Sequence, residues 1–382
     1  MPGWHEKTKR LEADGQLAVI GIVQEQHPAR AALFMQWKQM DWPVMVDALN
    51  QLGVAVVPLT ILIDESGVVR STRPRGDALD DFLAAEPVEV GDAAPSPFAL
   101  AHAEANEQLN FGTGDDLTSA IEQYEAGLAS DDSGRTHFRL GVALRRRFES
   151  DRRQPDDFAR AVSYWQRALA INPNQYIWRR RIQQYGPRLD KPYPFYDWVA
   201  QARDEIAARG ETPVALPVEP RGAELAAAIR RFSADTASDA PDPDGRIARD
   251  RGLIAAEAVI VPHTSRDGVV RVHVTFRPND ALQAHWNNEA TDMIAWFEPP
   301  PGWSIDRRRH GIAGPPGATS REARHLEVEL RRDDESTAPP APLTGYALYN
   351  VCEGAEGTCL YRRLDLHIPL GVPADAVDGA IN

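Results

Sequence analysis

Hydrophobic periodicity changes twice along this chain, and no single layer of secondary structure accommodates both changes. Up to about residue 90, short β-branched runs alternate with helical spacing; helical spacing then dominates, and from about residue 253 the period becomes two. With 382 residues the chain also exceeds the roughly 100–200 residues of one domain. Clusters of proline and glycine mark the joints: "PVEVGDAAPSP" from Pro87 to Pro97 and "GETPVALPVEPRG" from Gly210 to Gly222. Acidic loops at 233–249 and 333–343 bury too little apolar area to order themselves and read as linkers. The expected fold class is multidomain, α/β followed by α and then β.

Charge and composition remove several function classes. A net charge of −14 disfavours nucleic acid and acidic membranes as general partners. Arg145–Arg147 and Arg179–Arg181 read as solvated helix faces. No stretch of about 18 apolar residues exists to span a membrane. The opening, Met1 to Arg10, lacks the apolar centre of a signal peptide. Phosphate-loop, nucleophile-elbow, zincin and dinucleotide motifs are absent, so no cofactor is expected. The ten histidines show no i, i+4 chelating pair, and no metal site is expected. The loop Asp239–Gly245 resembles a calcium loop only superficially, since it has prolines and lacks the terminal Glu.

In the first segment, Leu17–Val23, Pro43–Asp47 and Thr60–Asp64 are expected as strands. Ala31–Met40 is a helix presenting Leu33, Phe34 and Trp37, Glu65–Gly67 turns a hairpin, and Asp77–Ala85 is a closing helix. "WPVMVDALNQLGVAVVPLTILIDESGVVR", Trp42 to Arg70, resembles the distal half of a TlpA/redoxin-type thioredoxin fold. The resemblance implies a cis-proline at Pro58 and a C-x-x-C at the start of the first helix. In this chain "MPGW" occupies that loop, with Met1 and Trp4 where the two thiols would stand. The family's first strand is missing too, and two readings stay open, a start site placed too late and a truncated thioredoxin fold; with either, Trp4 leaves the second position without sulfur, so no dithiol chemistry is expected of this domain.

The middle segment carries one spacing twice. Ala120, Tyr124, Gly127 and Asp132 fall at the same offsets as Ala161, Trp165, Ala168 and Pro173. With Leu140–Gly141 as the Leu-Gly of a first helix, these positions resemble tetratricopeptide (TPR) repeats, stretched from 34 to 41 residues by the insertion "FESDRRQPDD". Flanking helices at Ala99–Leu109 and Ile177–Tyr185 would complete the stack. Tyr193, Phe195, Tyr196 and Trp198 are expected as its closing cap. Two readings stay open, a helical spacer and a docking surface for a protein partner.

The last segment has six strong strand candidates, among them "VVRVHVTFRP", read as half-exposed, and "CLYRRLDLHIPL". They suggest an immunoglobulin-like β-sandwich. "AHWNNEATDMIAWFEPPPGWSID" and "LYNVCEGAEGTCLYRRLDLHIPL" resemble the N-terminal periplasmic domain of DsbD thiol:disulfide interchange proteins. Cys352 and Cys359 fall on that family's cysteine hairpin and are the only cysteines of the chain. Gly354 and Gly357 permit the turn. Glu353 and Glu356 would raise a neighbouring thiol's pKa, and Arg362 and Arg363 are expected to offset them. His263 and His285 read as satisfied strand histidines. A structural disulfide and a redox-active pair remain open alternatives, with zinc held alongside His325 or His367 a remote third.

The expected domains are therefore a thioredoxin-like domain at 1–90, TPR-like helices at 91–210, a linker at 211–249 and a DsbD-like sandwich at 250–372. The expected function is thiol:disulfide exchange with a protein partner, Cys352 and Cys359 forming the couple. The alternative is a non-catalytic scaffold with a structural disulfide. Both resemblances imply an extracytoplasmic, periplasmic setting, although the opening carries no leader.

Overall fold

The structure, a computed structural model, describes residues 2–88, 102–188, 196–225, 240–333, 341–354 and 357–370. The chain divides into two units: Met1–Arg181 with Tyr196–Glu219, and Ile182–Phe195 with Pro220–Asn382. Among the described residues no helix is long and apolar enough to cross a membrane.

The first unit begins with α1 (Pro2–Ala13), β1 (Gly21–Val23) and α2 (Pro28–Lys38), followed by β2 (Val44–Val46). Pro28 starts α2 where its missing N–H costs nothing, and Gln39 ends it in the left-handed conformation. β1 pairs β2 in parallel. β3 (Ile61–Ile63) pairs β4 (Val69–Thr72) in an antiparallel hairpin. The buried Asp64 carboxylate shapes that turn by accepting the N–H groups of Ser66 and Val68, while Arg70 donates to it. Leu17–Ile20 lies outside β1, and Ile20, Ile22, Met45 and Ile63 are exposed. The strand expected at Leu17–Val23 is thus shorter and more open than its apolar run implied. Each of these two sheets has two strands among the described residues.

After α3 (Ala78–Ala84) come α4 (Ala103–Phe111), α5 (Asp115–Gly127), α6 (Gly134–Phe148) and α7 (Asp157–Ile171). Ala120, Tyr124, Ala161, Trp165 and Ala168 are fully buried. Close approach of α6 and α7 depends on Gly141: a Cβ there would lie 2.4 Å from the Trp165 ring nitrogen. That nitrogen donates to the Phe138 carbonyl. α8 (Tyr176–Tyr185) begins in this unit and ends in the other.

α9 (Trp198–Ala208) corrects one expectation. Trp198 stacks on Trp37 at 5.7 Å and meets Phe34 edge-on, so Tyr196 and Trp198 cover α2 rather than cap the helical stack. Tyr193 and Phe195 lie outside the described residues. Part of the expected linker is packed as well. Leu216 is buried in the same cluster, and Val214 donates its N–H to Gln36. Residues 1–90 and much of 91–210 therefore form one unit, because α2 finds its apolar cover on α9.

The second unit contains two antiparallel sheets with a common core. One runs β5 (Ile254–Pro262), β6 (Val269–Pro278), β12 (Arg324–Arg332), β9 (Trp303–Ile305). The other runs β10 (Arg309–Ile312), β8 (Met293–Glu298), β13 (Leu343–Cys352), β7 (His285–Asn287), β11 (Thr319–Ser320), with β14 (Cys359–Ile368) also on β13. Val272, Phe276, Trp286, Phe297, Tyr349 and Val351 fill the space between them. β6 is not half-exposed, since Arg271 and Thr275 on its other face are buried too. Arg271 pairs with Glu329 at 2.8 Å, and His273 shares its ring proton with the Tyr185 carbonyl. Residues from 182–188 and 220–225, remote in sequence, cover that face.

Candidate functional site

The β13–β14 hairpin builds the site by alternation. Leu343, Ala347, Tyr349 and Val351 point into the core, so Leu348, Asn350 and Cys352 occupy the opposite face. Ten residue pairs, from Leu343↔Ile368 to Cys352↔Cys359, set the two cysteines directly opposite each other at the open end. Their Cα atoms are 3.9 Å apart and their sulfurs are bonded. Gly354, at φ +71°, takes the left-handed conformation that begins the turn. Its N–H donates to the Leu282 carbonyl at 3.4 Å. Glu356 lies outside the described residues.

The two ends of the disulfide differ. Cys352 is 1% exposed, whereas Cys359 is exposed. On its other side β13 pairs β7, and Cys352 is in register with His285. Directly opposed residues of a sheet share a face. Cys359, Cys352 and His285 thus form a row across three strands. The His285 Nδ1 lies 3.3 Å from the Gln283 carbonyl. That oxygen can only accept, so Nδ1 carries the proton and Nε2 is the basic nitrogen of the neutral ring. Sequence reasoning treated His285 as an ordinary strand histidine. Only the β7–β13 register puts it beside the cysteines, and a three-residue strand has no register legible in sequence.

The expected electrostatic offset is not available. Arg363 donates to Asp242 at 2.8 Å and to Asp365 at 2.6 Å, with its guanidinium over the Tyr346 ring. It is in register with Leu348, four residues along from the pair that holds the cysteines, or about 13 Å by strand rise. Arg362 opposes Tyr349 on the core-facing row and donates to the Tyr361 carbonyl. Asp242, from the loop that resembled a calcium site, is committed to Arg363 and to the N–H groups of Arg246 and Ile247. Burial raises its carboxyl, but these donors hold it below the usual range. Bonded cysteine sulfurs are not thiolate ligands, and His325 sits in the other sheet beside Thr275, so the zinc reading loses its ligand set. His263 Nδ1 accepts the N–H of Ser265.

The remaining singled-out positions belong to the first unit. The Val57–Pro58 bond is cis, and Val56 and Val57 are exposed beside it. Trp4 lies in the first turn of α1 with Lys7 5.6 Å from its ring; Met1 is outside the described residues. A cavity of about 180 Å³ lies between β1, β2, α2 and Tyr196, lined by Val23, Phe34, Met35 and Val44 with Glu25 and Arg30 among its walls.

No protein-family model and no curated protein matches the chain. Among solved structures, the chain is similar at 12% identity to yeast GGA1_GAE domain-P21, over 31% of this chain and 96% of that one, with a TM-score of 0.19. It is likewise similar to the GAE domain of GGA2p from Saccharomyces cerevisiae at 12% identity, over 32% and 96%, with a TM-score of 0.20. Likeness at that level carries no argument about fold or function.

Proposed function

We propose that this chain is a thiol:disulfide exchange protein whose couple is Cys352 and Cys359. The observation that carries the reading is the asymmetry of the disulfide, with one cysteine exposed at a hairpin end and the other buried. Exchange needs an attackable sulfur and a second sulfur that leaves in a defined place. A partner thiolate can reach Cys359, and Cys352 is then the leaving group.

The finer assignments belong to the same proposal. The second unit is a sandwich of the DsbD N-terminal type, supported by the cysteine hairpin and by two sheets around one core. The 1–90 segment is a thioredoxin-type domain with Trp4 where the second thiol of the dithiol would stand, supported by the strand, helix and hairpin order. The helices of 103–171 are TPR-like pairs, supported by the buried small and aromatic positions.

Thiol labelling of the whole protein across glutathione buffers tests the reading. A midpoint potential between about −120 and −270 mV, the span of exchange proteins, is expected. A potential below about −300 mV makes the disulfide structural. The scaffold reading then replaces this one.

A further inference from the structure

The leaving sulfur poses a chemical problem. Once the disulfide opens, Cys352 must carry a negative charge at a buried position, which desolvation opposes. The positions nearest it in register are Cys359 on one side and His285 on the other. Arg363 is held by Asp242 and Asp365 several residues away. Opposed Cβ atoms in an antiparallel pair lie about 4.5–5.5 Å apart, within reach of an imidazole.

Resting on the exchange reading, we infer that His285 is the general acid of the reaction, protonating the Cys352 sulfur as it departs. The step balances. A partner thiolate bonds to the Cys359 Sγ, the Cys352–Cys359 bond breaks, and its electron pair goes to the Cys352 Sγ. That sulfur takes the proton from Nε2 of the imidazolium. The partner's second thiolate then attacks the first partner sulfur and releases Cys359 as a thiolate, which takes its proton from solvent. The partner leaves oxidised by two electrons and the hairpin stays reduced. The Gln283 carbonyl fixes the tautomer, so Nε2 both takes up and delivers the mobile proton. Charged or titratable neighbours are Glu353 just beyond Cys352, Tyr361 two residues past Cys359, Arg321 just past β11, and Asp280 in the turn before β7.

The test uses the full chain, with dithiothreitol as reductant and glutathione as the trapping thiol. Rate constants for opening the disulfide, divided by the thiolate fraction of the reductant, are measured from about pH 5 to 8.5. In the wild type this quantity rises as pH falls, because the protonated ring is the acid the step uses. His285→Gln keeps an amide at the site but has no transferable proton. Its profile is flat, and its rate constant at about pH 6 is roughly 10- to 100-fold lower. Glutathione is trapped on Cys359 in both proteins. A flat wild-type profile overturns the inference without any variant, and so does a His285→Gln profile that still rises. In either case a midpoint potential in the exchange range leaves the function itself standing. A potential below about −300 mV removes that function, and the role of His285 falls with it.

Discussion

Gly141 shows how one hydrogen decides the packing of two helices. Its absent Cβ leaves room for the Trp165 indole, whose N–H reaches the Phe138 carbonyl. Gly141→Ala puts a methyl 2.4 Å from the ring nitrogen and is expected to lower stability by about 1–3 kcal/mol in denaturant unfolding. His27 decides a second residue-scale property. Burial holds its ring neutral down to about 4; Glu149 favours protonation, and Arg30, Arg145 and Arg181 oppose it. The unfolded chain takes that proton near 6.5, so stability is intact above about pH 6.5 and declines as pH falls towards 4. Between pH 7 and about 4.5 the wild type is expected to lose about 2–3 kcal/mol relative to His27→Gln. Equal slopes in matched urea titrations would contradict this. The role of Gly141 in a Leu-Gly pair is legible in sequence. The surroundings of His27 are not, because Glu149 and Arg181 are distant along the chain.

At the scale of elements, period-two alternation marks β5, β6, β8, β12, β13 and β14 in the sequence, since each is long enough to repeat its pattern. β7, β9, β10 and β11 have two to four residues and no pattern to repeat. The candidate site divides in the same way. Its cysteines lie on long strands and announce themselves, while His285 lies on a short one. The outer face of β6 reads as solvated because charged residues ordinarily are. It is covered by residues from 182–188 and 220–225, which no local window contains. There Arg271 and Glu329 form a buried pair at 2.8 Å, with Glu327 also near enough to favour the charged guanidinium. Gly222, at φ +60°, brings its backbone against that guanidinium. Removing Arg271 leaves the buried Glu329 only its contacts to Arg188, so Arg271→Met is expected to cost about 3 kcal/mol. Arg271→Met combined with Glu329→Gln should recover part of that loss, and a double variant no better than the single would show that the charge pair is not the cause.

For the whole molecule, the proline- and glycine-rich joints locate where composition changes but not which segments share a core. The joint at 87–97 separates stretches that end up in one unit, because the apolar stripe of α2 is covered by α9 and Leu216. Conversely, Ile182–Tyr185 continue the helix that starts at Tyr176 yet belong to the second unit. Two units with separate cores should not unfold as one two-state system. Each also carries its own chemical handle, His27 in the first and the Cys352–Cys359 disulfide in the second. Calorimetry is expected to resolve two transitions. Acidification from pH 7 to about 5 should lower one of them, and that acid response should shrink in His27→Gln. Reduction of the disulfide releases the loop-closure constraint on the unfolded hairpin and should lower the other, by an amount equivalent to about 2–3 kcal/mol for so short a loop. A single transition that responds to both treatments would mean that the two cores unfold together, and that the assignment of the handles to separate units does not hold.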